Sequence, residues 1–469
     1  MSFLSTTFIG TQENSHSYAI SRLRANVKGQ VITRQDADYD AVRTGLSREA
    51  VRRPALIVRP VDANDVAQVV SLARETGMEL AVRSGGHSLA GFGTSEGGIV
   101  IDLSLMKGIE INVQERTAWA ETGLTAGEYT EAAAKYGLAT GFGDAPSVGI
   151  GGLTTGGGIG YLVRKYGLTI DSLLAARVVT ADGEIRYVDA DNHPDLFWAI
   201  RGGGGNFGVV THFKFQLHPV DTIVGGMLVL PATPEVIAAF AAQAEAAPEE
   251  LSAIVNILPA PPMPFVPAEY HGQIVMLATL VYTGDVEEGM RAVAPFRQLA
   301  QPIVDMIGPM PYPAIYMPDD PDMRMVSALR STFINEIDVQ TARAMLDHLR
   351  KSTAMMSIAQ FRVLGGAMAR VPADATAYAF RANRAMVTFI GFYQDPADAN
   401  VHNAWAAEAI GALNQGENAV YVNFVADEGK ARVRDAYPTA TWERLAAIKA
   451  KYDPTNLFHL NQNIAPKSR

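Results

Sequence analysis

The amino-acid sequence predicts an α+β fold built in two parts, and three observations lead to this prediction. Short β-branched runs alternate with amphipathic helical segments up to about residue 222, which is typical of a mixed domain of helices and strands. The amino-acid composition changes near Gly225, where proline-rich and methionine-rich segments begin. Beyond that point longer strand-like runs alternate with helical segments, so a second sheet accompanied by helices is expected.

The first part opens with polar residues and a helical pattern around Tyr18–Val27. A short strand is predicted at Pro54–Pro60, because prolines bound its apolar run on both sides. The next segment, from Asp62 to Val70, has an Asp or Asn suited to cap a helix before an apolar helical repeat that continues to Glu75, with Gly77 as the stop. Further strands are predicted at Ala81–Arg83, Gly98–Leu103 and Thr117–Ala120.

The second part has a comparable alternation of elements. Apolar, β-prone runs predict strands at Gln273–Tyr282 and Ser357–Leu364. Helical periodicity predicts helices at Val286–Leu299 and Thr341–Lys351.

Composition narrows the classes of function. The 469 residues carry a formal net charge of -10 and include no cysteine. An acidic chain without a basic patch is not expected to bind nucleic acid. The lack of cysteine excludes disulfides, thiolate metal ligands and a cysteine nucleophile. His271 and His459 have no partners at metal-ligand spacing, so no metal site is predicted. With no secretory pattern and no long apolar run, we expect a cytoplasmic monomer or homodimer that does not associate with membranes.

One histidine follows a glycine pair in a segment suited to close contact with a cofactor. Gly85 and Gly86 lack Cβ atoms, so their backbone can take positive φ and approach a diphosphate or a planar ring. The next residue, His87, has a nucleophilic imidazole that can form a covalent bond to an activated carbon. The alternative is a loop histidine that only hydrogen-bonds its neighbours.

Further glycine clusters favour the cofactor interpretation. They lie at Gly141–Gly152, Gly156–Gly160 and Arg201–Gly208, and together they predict a long, thin, phosphate-bearing ligand. Gly203–Gly208 also satisfies the G-x-G-x-x-G pattern of nicotinamide-binding folds. That pattern requires a strand before it and a helix after it. Here a helical segment, His193–Ile200, precedes it and a strand-like run, Val209–Phe215, follows, so the nicotinamide interpretation is rejected.

These segments resemble the pattern of a known family. The matching residues are Arg83–His87, Pro146–Gly152, Gly156–Gly160, Lys165–Leu168, Asp195–Gly202, Gly205–Gly208, Tyr452–Phe458 and Asn461–Ile464. The chain resembles, over nearly its whole length, the FAD-linked oxidases of the vanillyl-alcohol oxidase and p-cresol methylhydroxylase superfamily, in the berberine bridge enzyme-like branch.

The resemblance implies an arrangement of domains. Residues 1–222 and 421–469 would form a two-part FAD-binding domain of the p-cresol methylhydroxylase type. Residues 223–420 would form a substrate-binding domain, with a helix-covered sheet over the substrate side of the flavin ring.

The resemblance also implies how the cofactor is bound. FAD would be attached covalently through His87. Some relatives add a second bond through a cysteine, but Ala145 occupies that position here, so a single linkage is expected. The residues assigned to FAD contact are Arg83, Ser84, Gly85, Gly86, His87, Ser88, Ala145, Val148, Gly149, Gly151, Gly152, Gly156, Gly160, Gly205, Val209, Val210, Tyr421, Asn423, Asn461 and Asn463.

Tyr421 is the candidate catalytic base. Alternation along a predicted strand, Ala419–Phe424, puts Tyr421 and Asn423 on one face. In sugar- and alcohol-oxidising relatives a tyrosine in this motif takes the hydroxyl proton as hydride leaves for flavin N5. A phenol with a pKa of about 10 needs a depression of roughly 3 units, or about 4 kcal/mol, to act as a base near neutrality. The alternative is an aromatic residue that packs on a sheet.

Arg362 is the candidate that assists Tyr421. It lies on the predicted strand Ser357–Leu364, with Gln360 two residues earlier on the same face. Relatives carry an acidic, substrate-facing residue at this position, so the charge is reversed here. Three roles stay open for Arg362: it lowers the pKa of the phenol, binds a substrate carboxylate, or pairs with a neighbouring acid.

The expected function is that of an oxidase with a small organic substrate. A hydride would pass from an alcohol, a sugar or a natural-product hydroxyl to the flavin, and oxygen would be reduced to hydrogen peroxide. Val148 supports this, because relatives with valine at the matching position react with oxygen, whereas a bulkier leucine hinders the reaction. The alternatives are an FAD-dependent dehydrogenase or amine oxidase of the same fold, and a flavoprotein that binds a small molecule without turnover.

Overall fold

A four-stranded sheet forms the N-terminal layer of the fold. The computed structural model describes residues 20–44, 52–318 and 326–467. The sheet has the order β1-β2-β4-β3, and its strands are β1 (Gln30–Thr33), β2 (Leu56–Arg59), β3 (Leu80–Arg83) and β4 (Ile99–Asp102). Strands β2, β3 and β4 run parallel. Leu56, Ile57, Val100 and Ile101 are fully buried, as expected for parallel strands covered on both faces.

The helices of this layer are α1 (residues 20–26), α2 (Tyr39–Thr44) and α3 (Ala63–Thr76). The structure identifies Asp62 as the N-cap of α3 and confirms Gly77 as the stop. Asp62 accepts hydrogen bonds from two first-turn amides, and Gly77 ends the helix with φ of 68°. Of the helix predicted at Tyr18–Val27, residues 18 and 19 lie outside the described residues.

A five-stranded antiparallel sheet follows. Its order is β5-β6-β10-β8-β9, and its strands are β5 (Ile109–Asn112), β6 (Thr117–Glu121), β8 (Leu173–Val179), β9 (Ile185–Val188) and β10 (Val209–Gln216). A small pair joins β7 (Leu138–Ala139) to β11 (His218–Pro219). The helices are α4 (Ala126–Ala134), α5 (Ile150–Gly156), α6 (Val163–Tyr166) and α7 (Pro194–Ala199). Helix α7 precedes Gly203–Gly208 and strand β10 follows, so the order that rejected a nicotinamide site is confirmed.

The third layer is an eight-stranded antiparallel sheet. Its order is β15-β12-β14-β13-β18-β19-β17, and β16 pairs with β12. Its strands are β12 (Thr222–Pro231), β13 (Leu251–Pro259), β14 (Ile274–Tyr282), β15 (Val304–Asp305), β16 (Gly308–Pro311), β17 (Val326–Ile334), β18 (Met356–Val363) and β19 (Ala385–Tyr393). Its helices are α8 (Pro234–Ala246), α9 (Val286–Arg297), α10 (Val339–Lys351), α11 (Ala367–Arg370) and α12 (Ala399–Ala412).

The two faces of this sheet have different partners. Phe361 and Val363 of β18 pack in a core with Phe240 of α8 and Phe296 of α9. Because side chains alternate along a strand, Gln360 and Arg362 point to the opposite face. The sheet therefore presents Gln360 and Arg362 on the face opposite α8 and α9.

The C-terminal segment packs into the first part of the fold. Its helices are α13 (Gly429–Asp435) and α14 (Thr439–Tyr452). Leu445 and Ile448 of α14 share a core with Leu196 and Trp198 of α7. The boundaries at residues 222 and 420 stay predictions. No helix in the described ranges combines the length and the apolar character needed to cross a bilayer.

One predicted strand is wrong. Ala419–Phe424 is not a strand, because Val422–Phe424 forms a 3-10 turn. The segment lies beside β17, but the only backbone hydrogen bond found between them in the described residues runs from the Phe333 N–H to the Ala419 carbonyl, at 3.3 Å. A turn begins too soon for a ladder of hydrogen bonds to form.

Candidate active site

A cleft of about 360 Å³ gathers most of the predicted site residues. The predicted residues that line it are Arg83, Ser84, Gly85, Gly86, His87, Ser88, Val148, Gly149, Gly151, Gly152, Gly205, Val209, Val210, Arg362, Tyr421, Asn423 and Asn461. They come from all three sheets and from the C-terminal segment, which is why one local pattern cannot define the site.

Five predicted site residues do not line the cleft, and their assignment stays a prediction. They are Ala145, Gly156, Gly160, Gln360 and Asn463. A Cβ atom at Gly156 would lie 2.0 Å from Asn423 Oδ1, and one at Gly160 would lie 1.5 Å from the Phe142 carbonyl oxygen. These two glycines therefore allow backbone and side chains to pack behind the cleft. Gln360 instead contacts Arg362.

The loop that carries His87 is held by backbone packing. Gly86 has φ of 73°, which favours glycine. A Cβ atom at Gly85 would lie 2.2 Å from the backbone nitrogen of Gly149, so the two glycine segments cross in close contact. The His87 side chain is exposed in the cleft, and its Nε2 lies 2.8 Å from the Ser147 hydroxyl. The second glycine segment thus orients the imidazole.

The residues before His87 anchor this loop to the fold. Arg83 is buried and donates hydrogen bonds to Asp102 Oδ2 at 3.0 Å and to the Val42 carbonyl at 2.7 Å. Ser84 donates to the Thr122 carbonyl at 2.5 Å. Both side chains therefore use polar atoms to fix the loop, although both also border the cleft.

Two observations show that the cleft fits FAD. Gly152 borders the cleft, and no neighbouring atom of the described residues lies within 4 Å of the position a Cβ atom would take, so the glycine leaves open space for a ligand. Asn461 also borders the cleft, and its buried Oδ1 has no hydrogen-bond partner in the part of the chain that the structure describes. A buried amide oxygen without a donor is costly, and a ligand that supplies an N–H or O–H group removes that cost.

Tyr421 is buried at the inner end of the cleft. Its hydroxyl oxygen accepts hydrogen bonds from the Gly158 N–H at 2.8 Å and from Asn423 Nδ2 at 2.9 Å. Asn423 Nδ2 also donates to the Leu153 carbonyl at 3.0 Å, which fixes the orientation of the amide. Tyr421 and Asn423 are thus brought together, as predicted, but by a turn instead of a strand.

The expected depression of the pKa of Tyr421 is wrong for this structure. Burial raises the pKa of Tyr421 to about 12. The hydrogen bonds from Gly158 and Asn423 and the charge of Arg362 lower this pKa, but burial outweighs them. The phenol is therefore protonated at neutral pH.

The Arg362 side chain is 5% exposed, and each of its three guanidinium nitrogens donates a hydrogen bond. Nε donates to Gln360 Oε1 at 3.0 Å and Nη1 donates to the Ile159 carbonyl at 3.1 Å. Nη2 donates to Asp144 Oδ2 at 2.8 Å. Of the three roles considered, the structure shows pairing with an acid, Asp144, and the charge of Arg362 also acts to lower the pKa of Tyr421.

Several cleft residues were missed by the sequence analysis. They are Asp144, Leu329, Phe424, Phe92 and Phe458, among others. Asp144 lies inside the glycine-rich segment Gly141–Gly152. A carboxylate within a segment predicted to contact the cofactor is the feature from which the sequence could have indicated a site residue. Leu329 of β17 carried no such signal, because its place depends on the register of the large sheet.

Comparisons with known proteins extend these observations. A family model described as "FAD binding domain" matches residues 54–189, and one described as "Berberine and berberine like" matches residues 420–465. The chain is 31% identical over 460 residues to (R)-6-hydroxynicotine oxidase of Paenarthrobacter nicotinovorans, and the match covers 94% of this chain and 98% of that protein.

Solved structures agree with the sequence matches. The structure of 6-hydroxy-D-nicotine oxidase from Arthrobacter nicotinovorans is similar, with a TM-score of 0.82 and 28% identity over 94% of this chain and 99% of that chain. Xylooligosaccharide oxidase from Myceliophthora thermophila C1, solved with xylobiose, gives a TM-score of 0.83 with 23% identity over 96% of this chain and 100% of that chain. At that identity the second match shows a shared fold alone.

Proposed function

The chain belongs to the berberine bridge enzyme-like family of FAD-linked oxidoreductases, and on this premise we propose that it is an oxidase with a small organic substrate and oxygen as the electron acceptor. The substrate loses a hydride from a carbon that bears a hydroxyl group, as in an alcohol, a sugar or a natural product. The observation that carries the proposal is one cleft that contains His87 on a glycine loop together with Tyr421, Arg362 and Asp144.

When bound, FAD supplies a two-electron acceptor that the side chains of this protein lack. We propose that it is attached by a single covalent bond to His87. The Ser147 hydroxyl, 2.8 Å from His87 Nε2, orients the ring for that bond. Ala145 ends in a methyl group and cannot form a second linkage. Gly152, Gly205 and Asn461 border the cavity that receives the rest of the cofactor.

Val148 supports oxygen as the acceptor. It borders the cleft directly after Ser147, where a larger side chain would narrow the space beside the bound ring. A dehydrogenase of the same fold would reoxidise slowly in air and use another acceptor.

An amine is the second candidate substrate. The relative named (R)-6-hydroxynicotine oxidase, which matches 94% of this chain, carries in its name a substrate with a saturated ring nitrogen. Oxidation beside a neutral nitrogen draws on the nitrogen lone pair, so no hydroxyl proton has to be removed.

The test uses the purified protein and a His87→Ala variant. Yellow colour that stays with the acid-precipitated protein, but moves to the supernatant in the variant, supports the covalent bond. The protein is then mixed with cellobiose, benzyl alcohol and N-methylpyrrolidine, and hydrogen peroxide is measured. Flavin reduction without peroxide indicates a dehydrogenase. A wild-type flavin that no compound in the panel reduces contradicts the proposed substrate classes.

A further inference from the structure

We propose that Asp144 is the group that accepts the substrate proton, whereas Tyr421 acts as a hydrogen-bond donor. This inference deepens the proposed function and rests on it. It assigns a catalytic role to a residue that the sequence analysis did not single out.

The hydrogen bonds of Tyr421 argue against a role as base. A hydroxyl oxygen has two acceptor positions, and here the Gly158 N–H and Asn423 Nδ2 occupy both. A substrate hydroxyl that donated to this oxygen would have to displace one of them. The group that Tyr421 can offer to a substrate is its own O–H.

Asp144, in contrast to Tyr421, has an oxygen that can accept a hydrogen bond from a substrate. Its Oδ2 accepts from Arg362, but no hydrogen bond to Oδ1 is found within the described part of the chain. Its side chain is 27% exposed, and the residue borders the cleft. Among the described residues that line the cleft, Asp144 is the only carboxylate. It therefore presents an acceptor oxygen where a substrate binds.

Arg362 is a positioning residue in this scheme. Its three anchored donors fix the guanidinium between Gln360, the Ile159 carbonyl and Asp144. Its guanidinium donates a charge-assisted hydrogen bond to Asp144 Oδ2 and so holds that side chain in one orientation.

Other titratable groups near Asp144 do not compete for the proton. Arg362 faces it from β18, while Tyr161, Tyr316 and Tyr421 face it from three other segments. Burial raises the pKa of each of these three phenols. They stay protonated across the working pH range.

The substrate C–H bond would break with its electron pair leaving as hydride, and bound FAD would supply the two-electron acceptor. The O–H bond of the same carbon breaks, its proton passes to Asp144, and its electron pair forms the new C=O bond. Asp144 then releases the proton to solvent through the open side of the cleft. A protonated amine would lose its N–H proton to the same oxygen before hydride leaves.

The first experiment measures flavin reduction by stopped flow in the holoenzyme, with whichever compound of the panel reduces the wild type. Asp144→Asn is expected to slow reduction by about 10² to 10⁴, which is the usual contribution of a general base. The matched control is Asp305→Asn, because Asp305 also pairs with an arginine and has a side chain that is 31% exposed. The control should leave the rate unchanged. A wild type that no compound reduces counts against the proposed function, whereas a normal rate in Asp144→Asn counts against this inference alone.

The pH profile and chemical rescue separate a base from a structural residue. The wild-type rate should fall at acid pH and show no rise at alkaline pH, and formate should restore reduction in Asp144→Ala. An alkaline rise that disappears in Tyr421→Phe would identify the phenol as the base and overturn the inference. Failure of formate to rescue Asp144→Ala would also count against it.

A binding measurement adds a readout without turnover. Benzamidine has N–H donors but no hydrogen on the carbon attached to nitrogen, so it cannot be oxidised there. Its Kd, followed by the change in flavin absorbance, should rise at least tenfold in Asp144→Asn and stay unchanged in Asp305→Asn. Equal affinity in wild type and Asp144→Asn, including no measurable binding to either, would show that Oδ1 is not available to a ligand.

Discussion

A buried ion pair in the C-terminal segment gives the sharpest test of how the cleft is held together. Lys449 and Asp453 have fully buried side chains, and Nζ lies 2.7 Å from Oδ2. Lys449 Nζ also donates to the Asn206 carbonyl at 2.7 Å and to the Phe458 carbonyl at 2.8 Å. Both carbonyls belong to segments that border the cleft, residues 203–208 and residues 458–462. One ammonium group therefore links these two segments.

Lys449→Met is expected to be costly. The change removes three hydrogen bonds, and among the described residues it leaves the buried Asp453 side chain with the backbone N–H groups of Leu457 and Phe458 as donors. Removing one partner of a buried pair costs about 3 to 5 kcal/mol. For unfolding of all 469 residues as one unit, that loss lowers Tm by about 3 to 5 °C. The fraction of protein with bound flavin should fall as well, because two lining segments lose their common anchor.

The assay is urea or thermal unfolding of the holoenzyme, together with flavin absorbance per mole of protein. Lys451→Met is the matched control, since Lys451 lies on the same helix and pairs with Asp195 through a side chain that is 59% exposed. An exposed pair contributes about 1 kcal/mol or less. Lys449→Met/Asp453→Asn should be more stable than Lys449→Met alone, because the unpaired charge is removed. Equal losses in Lys449→Met and Lys451→Met would refute the reasoning.

Three further predictions address the cleft and the fold. Gly152→Val should reduce flavin content to about a tenth or less without unfolding the protein, as measured by absorbance and circular dichroism, because its side chain enters open space. Val148→Leu should slow reoxidation by oxygen about tenfold, or about 1.4 kcal/mol of barrier, while the rate of flavin reduction stays unchanged in stopped flow. Asp62→Ala should lower the free energy of unfolding by about 1 kcal/mol at pH 7 through loss of the α3 cap. A hydrogen bond from Lys28 lowers the pKa of Asp62, so this loss should shrink as pH falls below the usual aspartate value of 3.8, and a constant difference in urea unfolding would contradict it.

Local signals in the sequence were sufficient for much of the fold. Helix α3 has an Asp cap, at Asp62, and ends at Gly77 as predicted, and the strand predicted at Val209–Phe215 is β10. The predicted family is confirmed by a relative that is 31% identical over 460 residues of the match. The glycine segments that carry the family pattern meet at one cleft. These predictions succeeded because capping, alternation and glycine geometry depend on residues that are close in sequence.

The features that failed depend on distant residues. Residues alternate between two types along Ala419–Phe424, as in a strand. A strand also needs a series of backbone hydrogen bonds to a neighbouring strand. This segment turns away from β17 after one such bond. The sign of the pKa shift of Tyr421 was also wrong. The sequence shows which groups can lower that pKa, whereas the depth of burial, which decides the sign, follows from packing of the whole domain.

The Arg362–Asp144 pair follows from physical constraints that the sequence contains only in part. Alternation in β18 sends Phe361 into the helix-covered core, so Arg362 must face the cleft. A guanidinium that is 5% exposed is stabilised by a paired anion, because desolvation of an unpaired charge costs several kcal/mol. The anion comes from a loop 218 positions away in sequence, within the same glycine-rich segment that carries Ser147 and Val148. The arginine and the aspartate are therefore one unit, and replacing either alone should disturb both the polar face of the sheet and the loop that orients His87.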